Sequence, residues 1–342
     1  VPAGNKRVTL KDVAEATGLS PAAVSYALRG MHVSEETELR VRQTAADLGY
    51  EANPIARALA GGTTGLVGVL FGSLEDLWQQ QLAAGIGRGL LAQQRYALIV
   101  EAGSDPAREL AVARQLRDQG VDGLIVSPVD PSAPGWADLA ATVPVISIGD
   151  SLAAAQTAGE VLFDNRAGVT LALEHLQGLG HKRVTVLTPT RASTPDRPAD
   201  VHVSAEAARL GLAVTLVPAG YRLPEATAVA RRVLRQRPAP TALFCFADSI
   251  AHGVYAAAAE LGLRIPADLS VAGYDNHPVS ALLTPGLTTV DWDIDNIIKA
   301  GVRMVVAAID GRPRRQRVVR SPRLCARGST ASAHAANGHS SA

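Results

Sequence analysis

Apolar residues follow two different rhythms along the chain. Up to about residue 60 they recur at helical spacing in short segments, and beyond it short apolar runs alternate with amphipathic stretches. The runs 66–71 (LVGVLF), 97–100, 123–126 (GLIV) and 143–148 (VPVISI) read as buried strands, and helices are predicted between them over 77–93, 106–119 and 135–141. A second set follows residue 164: helix 167–178, strand 184–187, helix 205–210, strand 214–217, helix 225–235, strand 242–246, helix 250–260 and strand 271–272. Strands joined through helices predict parallel sheets covered on both faces. The expected fold class is therefore α/β, two doubly wound subdomains behind an all-α head.

Within the head, Thr9 is placed to cap a first helix over 10–16, and Gly18 suits a turn that needs φ > 0. Ser20 can cap a second helix opened by Pro21, at the position where a missing N–H costs nothing. Helix, glycine turn, helix is the helix-turn-helix pattern, and its second helix would offer Pro21, Ala22, Ser25, Tyr26 and Arg29 to a DNA groove. Two short helices around a glycine also occur in proteins that never touch DNA. A third helix is predicted over 33–49, with Ser34 as cap, Glu35 and Glu36 near the positive helix end, and Gly49 as stop. The stretch 53–62, NPIARALAGG, reads as one short helix capped by Asn53, opened by Pro54 and ended by two glycines.

As a set, VTLKDVAEATGLSPAAVSYAL, VSEETELRVRQTAADLGY, NPIARALAG and GYDNHPVSALLTPGLTTV resemble the LacI family of bacterial transcription regulators. The resemblance implies a helix-turn-helix head over 1–52 that reads the major groove, with Thr9 and Ser20 joining the DNA-facing set. A hinge over 53–62 would bring Asn53, Ala56, Arg57 and Leu59 to the minor groove, Leu59 as a wedge between base pairs. Such a wedge trades unstacking for a bent duplex that wraps more protein. The resemblance also implies an effector-binding and dimerisation domain over 63–327, of the periplasmic-binding-protein-like type. Its subdomains would be about 63–163 with 292–316, and 164–291 with 317–327, the chain crossing between them three times. The expected partners are a homodimer mate, a palindromic double-stranded DNA operator, and a sugar or related small polar effector.

For the effector, Asp150 in SIGD and Asp275 in GYDN match the family's carboxylate positions, and Trp78 and Trp292 fall near its aromatic ones. The chain departs at two places. The usual Asn-Asp pair reads Ala247-Asp248, leaving Asp248, and the usual Arg is missing from 200–204 (DVHVS), with Arg191 and Arg197 as substitutes within reach. Losing a forked bidentate donor is not conservative. Plainer roles are open throughout: Asp150, Asp275 and Asp248 as turn or helix caps, Trp78 as cover for a subdomain edge, Tyr26 as packing inside the head.

The 342 residues allow two or three domains, and the net charge of +1 gives no global attraction to nucleic acid. Residues 1–62 hold seven Lys or Arg and seven Asp or Glu, so Lys6, Arg7, Arg29 and Arg57 are phosphate-contact candidates by position, not by excess. Cys245 and Cys325 suggest no disulfide framework, and the absence of a leader-like or membrane-length apolar run leads to an expectation of a cytoplasmic protein. There is no Gly-rich phosphate loop after a strand, no metal-spaced His/Cys cluster and no G-x-S-x-G elbow, so neither an enzyme, a cofactor nor a metal is expected. The small polar stretch 328–342 is expected to be a disordered tail, with His334 and His339 too isolated for metal binding. Two rival readings stay open: a constitutive DNA binder with a degenerate pocket, and a sugar-binding protein without a regulatory role.

Overall fold

Thr9 and Asp12 close the start of the first helix on each other: the Thr9 backbone N–H donates to Asp12 Oδ2 at 2.7 Å, and the Asp12 N–H donates to Thr9 Oγ1 at 3.4 Å. This capping box opens α1 (Leu10–Thr17), which ends at Gly18 with φ of 69°, a left-handed value that strains any residue with a Cβ. Ser20 accepts from the Ala23 N–H at 3.2 Å and starts α2 (Pro21–Leu28), and Ser34 caps α3 (Glu35–Asp47). Val13, Ala14, Val24, Ala27, Val41 and Ala45 bury the small core that the three helices share.

The computed structural model describes residues 8–28, 30–31, 33–50, 63–189, 197–312 and 315–333, the side chains of 197–200 excepted. The chain divides into two units, Val1–Thr64 and Gly65–Ala342. The predicted hinge over 53–62 and the residues Lys6, Arg7, Arg29, Arg191, His334 and His339 lie outside the described residues.

In the second unit, short apolar strands form two six-stranded sheets. The first contains β1 (Leu66–Phe71), β2 (Tyr96–Glu101), β3 (Gly123–Val126), β4 (Val145–Gly149), β5 (Gly159–Phe163) and β11 (Gln316–Arg320), all parallel, in the order β11-β5-β4-β3-β1-β2. The second contains β6 (Arg183–Pro189), β7 (Ala213–Ala219), β8 (Ala242–Cys245), β9 (Ser270–Gly273), β10 (Thr288–Asp291) and β12 (Arg323–Cys325), in the order β12-β10-β9-β8-β6-β7, with β12 alone antiparallel. Helices α4 (Leu77–Leu91), α5 (Pro106–Asp118) and α6 (Gly135–Ala140) belong to the first half. The second half has α7 (Asn165–Gly178), α8 (Arg197–Leu210), α9 (Leu223–Leu234) and α10 (Asp248–Glu260). Helix α11 (Ile294–Ile309) returns to the first sheet and lays Ile297, Ile298, Val302, Met304 and Val305 into its core. The approach to α4 is close enough that a Cβ on Gly85 would overlap Ile298.

The chain passes between subdomains after Phe163, after Asp291 and after Arg320, and hydrogen bonds tie the crossings together. Asp164 N–H donates to the Arg320 carbonyl at 3.0 Å, and Arg323 Nε to Asp291 Oδ2 at 2.7 Å. Two boundaries are corrected here. Gln316–Arg320 pairs with β5 in the first sheet, so that sheet keeps the chain to Arg320 and the last crossing falls at Ser321-Pro322. Residues 328–333 are not a disordered tail: Ser329 is fully buried, accepts from the Thr288 N–H at 2.8 Å and donates to the Val271 carbonyl at 2.6 Å. Further along, the Ala333 N–H reaches the Leu179 carbonyl at 2.7 Å. Small polar residues can be ordered when a sheet end offers them unpaired backbone groups.

Candidate functional site

Helix α2 is apolar on one side only. Val24 and Ala27 are fully buried, while Pro21, Ala22 and Tyr26 are exposed and Ser25 is half-buried. Positions 22, 25 and 26 are one helical face, and position 29 continues it. The hydroxyls of Thr9 and Ser20 are engaged in the two caps, which leaves them exposed at helix starts, where N–H groups suit a phosphate. Tyr26 is not packed inside the head: 43% of it is open to solvent.

The second site is built where strands end. Gly149 and Leu162 are register partners in β4 and β5, so Asp150 and Phe163 leave the first sheet side by side. Phe163 in turn meets Trp78 edge-on at 5.5 Å and Trp292 at 5.1 Å, between ring centroids. The aromatic chain continues into the second sheet through Tyr274, Phe246 and Phe244, with centroid separations of 5.4, 5.0 and 4.9 Å. The predicted Trp78 and Trp292 are thus brought together, but as a buried floor and not as open stacking faces. Trp292 spends its indole N–H on the Tyr274 carbonyl at 3.1 Å, whereas Trp78 Nε1, equally buried, has no partner among the described residues.

Asp150 is mostly buried where β4 ends beside Phe163, and among the described residues its carboxylate has neither a hydrogen bond nor an ion pair. Burial alone pushes its pKa up to about 7. Asp76 caps α4 by accepting from the Trp78 N–H at 3.2 Å; burial raises its pKa to about 6 against the hydrogen bonds from Trp78 and Gln79, and the charge of Asp248 adds to the rise. That interaction brings carboxylates of the two subdomains within electrostatic reach. Arg222 and Glu75 also face each other across the same seam, 3.7 Å apart and largely exposed. Ser127 follows β3 with its hydroxyl buried and without a partner among the described residues, and the next turn is held by Glu109, whose two oxygens accept from the Val129 N–H at 2.9 and 3.0 Å.

The expectation for Asp248 as a ligand is corrected. Its Oδ1 accepts from the Tyr274 N–H at 3.0 Å, the Asp275 N–H at 3.3 Å and Thr289 Oγ1 at 2.6 Å. Its Oδ2 accepts from the His277 N–H and Ser280 Oγ at 2.8 and 2.7 Å. Fully buried and saturated, Asp248 braces the loop that carries Asp275, and Asp275 Oδ2 answers by accepting the Asp248 N–H at 2.8 Å. Arg197 is the first residue of α8, and its side chain, like Arg191, lies outside the described residues. Sequence reasoning missed Phe163, Asp76 and Ser127. Phe163 left a signal at the end of GEVLF, where an apolar run stops at Asp164-Asn165, and Asp76 left one as a cap residue before the helix predicted over 77–93. Among the described residues no cluster of His, Cys, Asp and Glu could hold a metal ion, and no helix is long and apolar enough to cross a membrane.

Residues 9–53 match the family model described as bacterial regulatory proteins, lacI family, and residues 173–330 match a periplasmic binding protein-like domain. The transcriptional regulator MalR of Streptomyces coelicolor is 33% identical, covering 95% of this chain and 97% of its own. The ribose operon repressor of Halalkalibacterium halodurans is 26% identical over 89% of this chain and 91% of its own. The crystal structure of the lac repressor dimer bound to operator and an anti-inducer superposes with a TM-score of 0.82 at 27% identity, covering 95% of this chain and all of that one.

Proposed function

The chain belongs to the LacI family of bacterial transcription regulators, and from that premise we propose that it is a repressor switched by a small polar effector. It is a DNA-binding regulator and not an enzyme. In the proposed mechanism a dimer places two heads on a palindromic operator, with Pro21, Ala22, Ser25, Tyr26 and Arg29 toward base edges and Asn53, Ala56, Arg57 and Leu59 at the minor groove. Ala22 suits a thymine methyl, and the Tyr26 hydroxyl suits a base or phosphate acceptor. The effector binds at the strand ends beside Asp150, Phe163, Trp78 and Asp275, and draws the subdomains together about the three tied crossings. Coupling to the hinge follows from the dimer, because two copies that shift against each other move their hinges together or apart.

The observation that carries the reading is the exposed face of α2, with Tyr26 open to solvent opposite the buried Val24 and Ala27. Leu91, Tyr96 and Ile99, large apolar residues exposed on β2 and at the end of α4, suit burial against a second copy. Relatives named for ribose repression, and a solved relative with bound ribose, support an effector of sugar-like size. A chromosomal operator also requires a cytoplasmic protein. The test is selection of genomic DNA fragments by the full chain at one fixed salt concentration, because phosphate contacts make affinity steeply salt-dependent. A palindromic site enriched by the parent protein and lost with Leu59→Ala is expected. No enriched site from a folded dimer, with or without pooled small metabolites, overturns the reading.

A further inference from the structure

Helix α11 begins at the effector site and ends where the chain enters the first sheet. It starts just after Trp292, on the aromatic floor, and its 16 residues reach about 24 Å toward the amino ends of the strands. Four positions that face it are glycines. Ile298 lies over Gly85, Val302 over Gly89, Met304 over Gly159 and Val305 over Gly123, so at each of these the helix rests on backbone and meets no interlocking side chain. Such a seat permits the small rigid-body sliding of a packed helix of which shear motions consist.

One arginine joins the far end of α11 to the start of β1. Asp310 follows the last turn of the helix, and its Oδ1 accepts from Arg95 Nη2 at 2.7 Å. Arg95 Nη1 donates to Asp122 Oδ2 at 3.3 Å, and the same oxygen accepts the Gly65 N–H at 2.8 Å. The Gly65 carbonyl in turn accepts the N–H of Tyr96, the neighbour of Arg95, at 2.8 Å. Both backbone groups of Gly65 are therefore held from one corner, at a φ of 75° that its missing side chain allows. The Arg95 and Asp122 side chains are only 14% and 7% exposed. A planar fork shared between two carboxylates fixes their separation, which the single ammonium of a lysine would not do. Gly65 is also the first residue of the second unit, so this clamp sets the backbone at the point where the chain from the head joins.

Resting on the switch reading above, we propose that Arg95 is a positioning residue of the switch. It links the end of α11 to Gly65, so that a shift of α11 at the effector site resets the backbone at the junction with the head. Effector binding and its transmission then depend on different residues and can be separated by substitution.

The test uses the full-length chain, the enriched operator and one probe: the chromatographic fraction, from a low-molecular-mass extract of the bacterium carrying the gene, that changes operator affinity of the parent protein. Two variants cut the link at different points. Asp310→Ala frees the helix end, and Arg95→Met combined with Asp122→Asn removes both charges of the buried pair, so that neither is left alone. Each variant is measured for the melting shift that the active fraction causes and for the change it causes in operator affinity. The expected result is a melting shift equal to the parent's, with the operator response cut from at least fivefold to about twofold or less. An operator response equal to the parent's in either folded variant overturns the proposal. A melting shift lost together with the response also overturns it, because Arg95 then serves the integrity of the effector unit and not transmission. If one variant does not fold, the other decides, and failure of both counts against the proposal in the same way. An extract in which no fraction changes the parent's operator affinity overturns the effector reading itself, and the proposal with it.

Discussion

Replacing Asp150 with Asn should stabilise the effector unit, and by an amount that depends on pH. The Asp150 carboxyl is buried without a partner and its pKa is pushed from the ordinary 3.8 to about 7. A raised carboxyl pKa means that the folded state holds the proton more tightly than the unfolded one. Below pH 4 both states are protonated and the group costs nothing. Between pH 4 and 7 the unfolded state ionises while the folded state resists, so stability falls as pH rises, and above 7 the loss is complete. A shift of about 3 units corresponds to about 4 kcal/mol, and partial solvent access brings the expectation to about 3 kcal/mol. Asn carries no charge to desolvate, although its buried amide costs about 1–2 kcal/mol at every pH. The variant should therefore be about 1–2 kcal/mol weaker than the parent at low pH and about 1–2 kcal/mol stronger at pH 8. Urea unfolding followed by tryptophan fluorescence reads this directly, because all three tryptophans, Trp78, Trp136 and Trp292, lie in the second unit. Asp76 and Glu109 are raised in the same direction, to about 6 and about 7, but they are common to both proteins and cancel in the difference. A difference that does not change between pH 4 and 8 would refute the argument that Asp150 is buried and unpaired.

The two faces of α2 predict opposite phenotypes. Tyr26→Ala should leave helical content and melting nearly unchanged while weakening operator binding at least tenfold in a gel-shift titration; unchanged binding would remove Tyr26 from the DNA face. Val24→Ala should instead cost the small head core about 1–2 kcal/mol and lower operator binding, with the tryptophan-reported melting of the second unit unmoved. Asp248→Ala strips a buried acceptor from five donors at once and should lower the melting of the second unit by several degrees while changing the fluorescence of Trp292, which is bonded to the same loop; a neutral result would refute the bracing role. His181, buried against Thr241, Ser270 and the Ala331 carbonyl, has its pKa lowered by burial, so stability is full above pH 6.5 and is lost as pH falls below it. His181→Gln should flatten that acidic limb of the stability curve measured by urea unfolding.

The elements that the sequence revealed are those whose information is local. Capping residues Thr9, Ser20 and Ser34, and the glycine turn at Gly18, could be read directly because cap and helix lie within a few residues of each other. The strands that escaped notice are those with polar interiors. Gly159–Phe163 contains the buried Glu160, held by Ser151 at 2.8 Å and facing Arg317 at 3.6 Å, so its apolar run is broken by a charge whose partners are distant in sequence. Thr288–Asp291 is half threonine, its hydroxyls spent on Arg327 and Asp248. The same logic governs the site. Asp150 and Asp275 could be nominated by their place in short motifs, but that Asp248 is saturated depends on donors from residues 274 to 289, and that Phe163 joins Trp78 to Trp292 depends on strand order. Ser127 carried no local signal at all, and Asp76 only that of a cap before the helix over 77–93.

The central claim is that head and effector unit are coupled in one switch. Coupling between two binding events is reciprocal, whatever the path between the sites. The direct measurement is a thermodynamic cycle on the full-length dimer at one salt concentration: operator affinity with and without the active effector fraction, and effector affinity with and without operator. The account predicts that both affinities change by the same factor, at least fivefold, in the same direction. Effector affinity that is identical on free and operator-bound protein would contradict it.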